Sequence, residues 1–273
     1  MRLTVLGTGT ARPVVGTGAS GILVQSPTTA VLFDIGSGIA SQLESYVGAA
    51  GLDGLVVGHM HADHWIDIAP LRYRFPWGEA APRPLPVYLP PGGREKLDHL
   101  ALVVSERPGF FEVAFDVHEY ATDDTIRIGD LTITPHPIGH YVPAWSMVIE
   151  GAAGERIVYA GDMGPSDALV ELARGTDLLI LEATLETSQF DDLKRGHLTA
   201  EEAIDHVVRS GVPRGVLVHY PIEQRARIVA ACRACPAGAD LVIPALPDTI
   251  VEVTAGEAPT ISVPTNAPLA ARP

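Results

Sequence analysis

The segment His59-Met60-His61-Ala62-Asp63-His64 puts three imidazoles and a carboxylate into one short stretch. Imidazole nitrogen and carboxylate oxygen suit zinc, and also manganese or iron, at distances of about 2 Å. In an extended segment residues i and i+2 point the same way, so His59 and His61 can grip one ion together. Asp63 and His64, past the turn, can face a second. A polar loop with chance histidines is the bland alternative, but burying this many polar groups without partners is costly. One loop cannot complete a centre. His140 in Pro137-Ile138-Gly139-His140, Asp162 in Tyr159-Ala160-Gly161-Asp162 and His219 in Val216-Leu217-Val218-His219 are the downstream candidates. Each alone is weak, since a lone histidine is usually a satisfied surface or core residue. Together they complete a dinuclear site. Two ions about 3.5–4 Å apart would lower the pKa of a shared water, hold a phosphoryl oxygen and stabilise charge during in-line displacement.

The elements that must position these residues are short apolar runs broken by glycine-marked turns. Residues 3–6, 22–24, 31–33 and 55–57 read as strands, and 39–47 as a helix after Gly36-Ser37-Gly38. The run at 55–57 leads directly into His59. Residues 72–91, rich in Pro and aromatics, predict a shaped loop followed by a strand, and 96–104 a helix. In the second half strands are expected at 125–128, 131–134, 146–149, 156–159, 178–181 and 216–218. Helices are expected at 166–173, 199–210 and 222–234, the second opened by Thr199 as N-cap with Glu202 three residues on. Closing strands at 241–243 and 249–253 follow. Asp162 and His219 each end an apolar run as His59 does, and strand ends on one rim of a sheet converge. Alternating strands and helices in two halves predict an α/β fold of two packed sheets with helices outside. One domain over residues 1–253 is expected, then an Ala/Pro-rich tail or arm over 254–273.

The chain has 273 residues, 47% hydrophobic and 19% charged, the composition of a globule able to bury a large core. Asp+Glu number 33 against Lys+Arg 19, for a net charge of −14. That balance argues against a general basic surface for nucleic acid, whose affinity comes largely from neutralised phosphates. The N-terminus lacks the apolar core of a signal peptide and no run approaches a bilayer span, so a cytoplasmic protein with no membrane partner is expected. Cys232 and Cys235 have redox spacing but sit late in a helix without a βαβ context, and read as reduced, half-buried thiols. Gly7, Gly9, Gly16 and Gly18 lack the Lys and the following helix of a phosphate loop, and read as a tight loop near the metal rim. Of Trp65, Tyr73, Phe75, Trp77 and Trp145, one or two are expected to line a pocket and the rest to be core. His99, His118, His136 and His206 have no assigned role, although His136 stands near enough to His140 to compete as a ligand.

The pattern His59-x-His61-x-Asp63-His64, then His140, Gly161-Asp162 and His219, resembles the metallo-β-lactamase superfamily over nearly the whole chain to about residue 253. The resemblance implies a four-layer αββα sandwich. It implies His59, His61 and His140 on one metal, Asp63, His64 and His219 on the other, and Asp162 bridging them with a water or hydroxide. Within the superfamily the chain is similar to ribonuclease Z and related bacterial cyclic-nucleotide phosphodiesterases. The similarity rests on His140-Tyr141-Val142-Pro143, Ala160-Gly161-Asp162-Met163-Gly164, Gly196-His197-Leu198-Thr199-Ala200 and Leu217-Val218-His219-Tyr220, and on the opening Leu6-Gly7-Thr8-Gly9-Thr10-Ala11-Arg12-Pro13. Two departures stand out. Leu181-Glu182-Ala183-Thr184 replaces the family's His-Glu-Ala-Thr, and the basic tRNA-holding arm of ribonuclease Z has no counterpart.

The resemblance therefore implies a dinuclear metal-dependent hydrolase, zinc the first candidate, acting as a phosphodiesterase on a small cyclic or linear nucleotide. His197 is assigned as phosphate contact or proton donor to the leaving oxygen, and Glu182 as the acid that orients it; both join Asp63 in the catalytic group. Their bland readings are a loop histidine capping backbone and a structurally paired carboxylate. The alternatives are a ribonuclease Z-type tRNA endonuclease, a lactone or thioester hydrolase, and a non-catalytic metal-binding scaffold, the last disfavoured because no ligand position is missing. Homodimers are common among the relatives.

Overall fold

The computed structural model describes residues 1–48, 51–75, 84–188 and 195–265. Its first sheet has eight strands: β1 (Arg2–Thr8), β2 (Ser20–Gln25), β3 (Ala30–Phe33), β4 (Gly54–Val56), β5 (Leu85–Leu89), β6 (Phe115–Glu119), β14 (Thr249–Glu252) and β15 (Thr260–Ser262). They are ordered β15-β14-β1-β2-β3-β4-β5-β6. The second has seven: β7 (Ile126–Ile128), β8 (Leu131–Ile138), β9 (Ala144–Glu150), β10 (Arg156–Tyr159), β11 (Leu178–Glu182), β12 (Gly215–Val218) and β13 (Val242–Pro244), ordered β13-β12-β11-β10-β9-β8-β7. Each sheet joins an antiparallel part to a parallel part, β3 to β6 in the first and β10 to β13 in the second.

Alternation along the strands makes the layers. Ile22, Val24, Val31, Phe33 and Val56 face Ile157, Tyr159, Ile180 and Val218 of the other sheet and form the central core. Their sequence neighbours Leu23, Leu32 and Leu55 point the other way, under α1 (Ile39–Leu43), α3 (Ile68–Leu71) and α4 (Gly93–Ser105). In the second sheet Val158, Leu179, Leu181 and Leu217 meet α5 (Asp167–Ala173), α6 (Ala200–Ser210) and α7 (Arg225–Arg233). Strands buried on both faces read as continuous apolar runs, which is why they were legible. The result is the four-layer αββα sandwich.

Several elements differ from the sequence reading. The helix expected over 39–47 ends at Leu43, and that expected over 222–234 begins as a 3-10 turn, Ile222–Gln224. Strand β6 was not anticipated because its sequence, FDVHE, alternates with charged residues at a sheet edge. Beyond Val253, residues 260–262 add β15 as an edge strand; residues 266–273 lie outside the described residues. The capping box at Thr199 and Glu202 is formed in both directions.

Candidate metal centre

Every side chain of the centre comes from one rim, at or just beyond strand ends. His59 to His64 follow β4 and run into the short helix α2 (Ala62–Trp65), which starts after His61. His140 lies in the β8–β9 turn, Asp162 after β10, and His219 after β12. Two contacts stitch the histidine loop to the second sheet: the Trp145 amide donates to the Gly58 carbonyl at 3.1 Å, and His59 bridges to Ala144. Gly36 lets this loop sit against the end of β3, for a Cβ there would meet the Asp63 carbonyl oxygen at 1.9 Å.

Two groups of donor atoms stand side by side, one of His59, His61 and His140, the other of Asp63, His64, Asp162 and His219, and His197 joins two more, with His140 and Asp162 and with Glu182 and His219. In the first, His61 Nδ1 lies 3.2 Å from His59 Nε2 and 3.0 Å from His140 Nε2. In the second, His219 Nε2 lies 3.2 Å from Asp63 Oδ2 and 3.4 Å from Asp162 Oδ2, while His64 Nε2 is 3.3 Å from Asp162 Oδ2. Asp162 Oδ2 is also 4.0 Å from His59 Nε2, so that carboxylate stands between the groups.

Each of three rings is held by its far nitrogen. His64 Nδ1 lies 2.8 Å from Asp34 Oδ2, His140 Nδ1 2.6 Å from the Gly196 carbonyl, and His219 Nδ1 2.9 Å from Thr184 Oγ1. Thr184 gives its own proton to the His219 carbonyl, so its oxygen is left to accept from Nδ1–H. Donation from Nδ1 leaves Nε2 as a lone pair aimed into the centre, the arrangement typical of ligating histidine. Among the described residues His64 Nε2 is buried without a hydrogen-bond partner. A divalent cation would satisfy it, and the donor set fits one.

The electrostatics agree. Burial and neighbouring rings hold the His59 imidazolium well below its usual range; burial lowers that of His61 and takes that of His140 to about 4. All three shifts favour the neutral imidazole, the form that can bind a metal. Burial opposes charge on His64 and Asp162 as well. Asp162 and Asp34 outweigh it to raise His64, and His219 and His64 outweigh it to hold the Asp162 carboxyl well down. The field that keeps a proton on His64 would equally favour a cation, and the two compete for one nitrogen.

His197 lies at the mouth with its ring stacked near that of His219, centroids 5.9 Å apart. Its Nδ1 is 2.8 Å from Oε1 of the buried Glu182, which also accepts from the Met163 amide at 2.7 Å. Burial opposes its protonation, but the hydrogen bond to Glu182 and the surrounding carboxylates raise its pKa.

Other expectations are corrected here. Trp65, Phe75 and Trp145 are buried in the core, and Trp145 Nε1 donates to Thr122 Oγ1 at 3.2 Å. Tyr73 is exposed beside Phe110, and Trp77 lies outside the described residues. The aromatic at the site is Tyr141, half exposed, packed against the rings of His140 and His197. It was visible only as the neighbour of His140. His136 pairs with Asp123 at 3.0 Å and belongs to neither donor group. His206 is buried, accepting from the Ser166 amide and donating to the Glu202 carbonyl. Cys232 and Cys235 are free and buried rather than half-buried. Asp34, with Tyr159 donating to it at 2.6 Å, was not anticipated. Its signal was a lone acid between Phe33 and Ile35 at the end of a strand.

A sandwich with such a rim defines a class, the metallo-hydrolases. The chain belongs to the beta-lactamase superfamily, whose domain model matches residues 29–220. The protein Rv1339 of Mycobacterium tuberculosis is 33% identical over 230 residues, 81% of this chain and 81% of the relative. Ribonuclease Z of Mycobacterium bovis is 28% identical over 243 residues, 81% of this chain and 86% of that one. The crystal structure of the metallo-beta-lactamase fold protein YhfI from Bacillus subtilis superposes with a TM-score of 0.79 at 25% identity, covering 91% and 98% of the two chains. Among the described residues no helix is long and apolar enough to cross a membrane.

Proposed function

We propose that the chain is a dinuclear metal phosphodiesterase acting on a small cyclic or linear nucleotide. His59, His61 and His140 hold one ion, Asp63, His64 and His219 the other, and Asp162 serves both. The observation that carries the reading is the His197–Glu182 pair beside this donor cluster, 2.8 Å apart and set at its mouth. Two divalent ions bound there would lower the pKa of a water and stabilise charge on the phosphoryl oxygens. The chain's own residues do the rest. Glu182, buried and fixed by the Met163 amide, keeps the proton of His197 on Nδ1 and stabilises the imidazolium. The opposite nitrogen then presents a proton to the leaving alkoxide as its bond to phosphorus breaks, and water supplies the oxygen gained by phosphorus. The likeness to ribonuclease Z, by name a nuclease, supports attack on phosphorus rather than on a lactone or thioester carbon.

Hydrolysis of bis(p-nitrophenyl) phosphate by zinc- and manganese-loaded protein, beside His61→Ala, tests the reading. Turnover is expected in the parent, with both turnover and bound metal lowered in the variant. A protein that holds two ions and leaves this ester intact would overturn it in favour of a carbon electrophile. The second reading, a tRNA endonuclease, also draws on the ribonuclease Z likeness, against a net charge of −14. It requires tRNA binding that weakens steeply with salt, and no binding at low salt would remove it.

A further inference from the structure

A groove of about 390 Å³ opens beside the donor cluster, between the β1–β2 loop and α2. Asp63 forms one end of it and Arg12 lies at its rim. Its volume falls in the range of small-molecule sites, about 300–1,000 Å³. The walls are Ala11, Pro13, Val14 and Ile66, with the hydroxyls of Thr10 and Ser37 among them.

The charges facing this groove decide what it can take. Arg12 is paired with Glu223, so the rim carries a neutralised couple rather than a free cation. The N-terminal amides of α1, near Ser37, are already met by a carboxylate, with the Ala40 amide donating to Asp67 at 3.0 Å. Asp63 belongs to the donor cluster and offers the groove no cation of its own. Away from the donor cluster an anionic group would find no unpaired cationic side chain among the described lining residues, while a neutral one would meet apolar walls and two hydroxyls that make no hydrogen bond among the described residues. Buried apolar contact with a few placed polar groups is what orients an uncharged ring system.

We propose that this groove is the subsite for the uncharged nucleoside arm of the diester, with Thr10 and Ser37 hydrogen-bonding its sugar or base and Ala11, Pro13, Val14 and Ile66 packing on its flat faces. An arm bearing a further phosphate is rejected. The proposal rests on the phosphodiesterase reading for its choice of substrate, but not for its test. Adenosine 5′-monophosphate and methyl phosphate are titrated calorimetrically into metal-loaded protein, with adenosine 5′-diphosphate as the charged comparison. The nucleoside monophosphate should bind about tenfold or more tighter than methyl phosphate, and the diphosphate no tighter than the monophosphate. Ala11→Phe, on the exposed loop away from the donor cluster, should fill the groove and erase the nucleoside's advantage while leaving methyl phosphate within about twofold. Ser37→Ala should remove part of it without bulk.

Equal binding of adenosine monophosphate and methyl phosphate would overturn the proposal, and so would an advantage that survives Ala11→Phe. Tighter binding of the diphosphate would overturn the neutral-arm assignment. If bis(p-nitrophenyl) phosphate is not hydrolysed but the nucleoside advantage is present and lost in Ala11→Phe, the subsite stands and the phosphodiesterase reading falls.

Discussion

Substituting Asp34 by Asn tests whether the metal centre depends on the tautomer of His64. The carboxylate is fully buried and accepts three bonds: from the Gly58 amide at 2.8 Å, from His64 Nδ1 at 2.8 Å and from the Tyr159 hydroxyl at 2.6 Å. Asn keeps the size of the side chain and tolerates the backbone here, which has φ of 59°. Strain therefore contributes little, and chemistry decides the outcome. With its oxygen on Gly58, the amide nitrogen faces Tyr159 and His64. The hydroxyl can turn and accept, but Nδ1 can pair only by giving up its proton. The proton then sits on Nε2 and blocks the lone pair aimed at the centre. Flipping the amide instead sets its NH₂ against the Gly58 N–H, one donor facing another. Either way a buried donor is left unpaired at about 1–3 kcal/mol, and metal affinity should fall about 10- to 100-fold, or about 1.4 to 2.8 kcal/mol. Competition with a chromogenic chelator reads the affinity, and nitrogen NMR of the imidazoles reads the tautomer. Tyr159→Phe, which removes one donor but leaves the carboxylate, should cost less than about tenfold. An unchanged chelator midpoint in Asp34→Asn would refute the reasoning.

Three further outcomes follow from the same geometry. His197→Ala should spare metal content but slow diesters with poor leaving groups more than p-nitrophenyl esters, and equal losses on both would argue against proton donation. Glu182→Gln removes the hydrogen-bonded charge that raises His197 against its burial, so the basic limb of the rate profile, where His197 loses its proton, should move to lower pH; a fixed limb would exclude His197 as the titrating donor. Thr199→Ala breaks the capping box of α6 and should lower stability by about 1 kcal/mol, read as a lower urea midpoint, while an unaltered midpoint would mean that packing alone sets this helix end.

His59, Asp162 and His219 were legible because each follows a buried apolar strand of the parallel parts, while His140 follows the half-buried, antiparallel β8 and stood out only by its residue type. What escaped the sequence was the support behind them. Asp34 and Thr184 earn their importance from ring nitrogens 30 and 35 residues away in the chain, a relation no local pattern records. Tyr159 closes a longer link still, pairing with Asp34 across 125 residues. Trp145 went to the core, as most of the aromatics were expected to: it sits on β9, where its amide ties the histidine loop in place and its indole is buried. Tyr141, one turn residue after His140, is not held in a strand and reaches the mouth instead. Helix α1 ends at Leu43, and a hydrogen-bonded turn carries the chain on past the exposed Glu44 and Ser45 to bring Tyr46 and Val47 back against the same core.

Both donor groups draw on both sheets. His59 and His61 belong to the first half of the sandwich and His140 to the second; Asp63 and His64 belong to the first, Asp162 and His219 to the second. Any ion bound there acts as a rivet through the seam between the layers. Neither half could retain it if the layers slid by even one residue of strand, so occupancy reports on registry across the central core. Without an ion, only the central core and the contacts of Gly58 with Trp145 and of His59 with Ala144 join the two layers here. With both donor groups occupied, the rim that carries them would be the more tightly fastened edge of the sandwich.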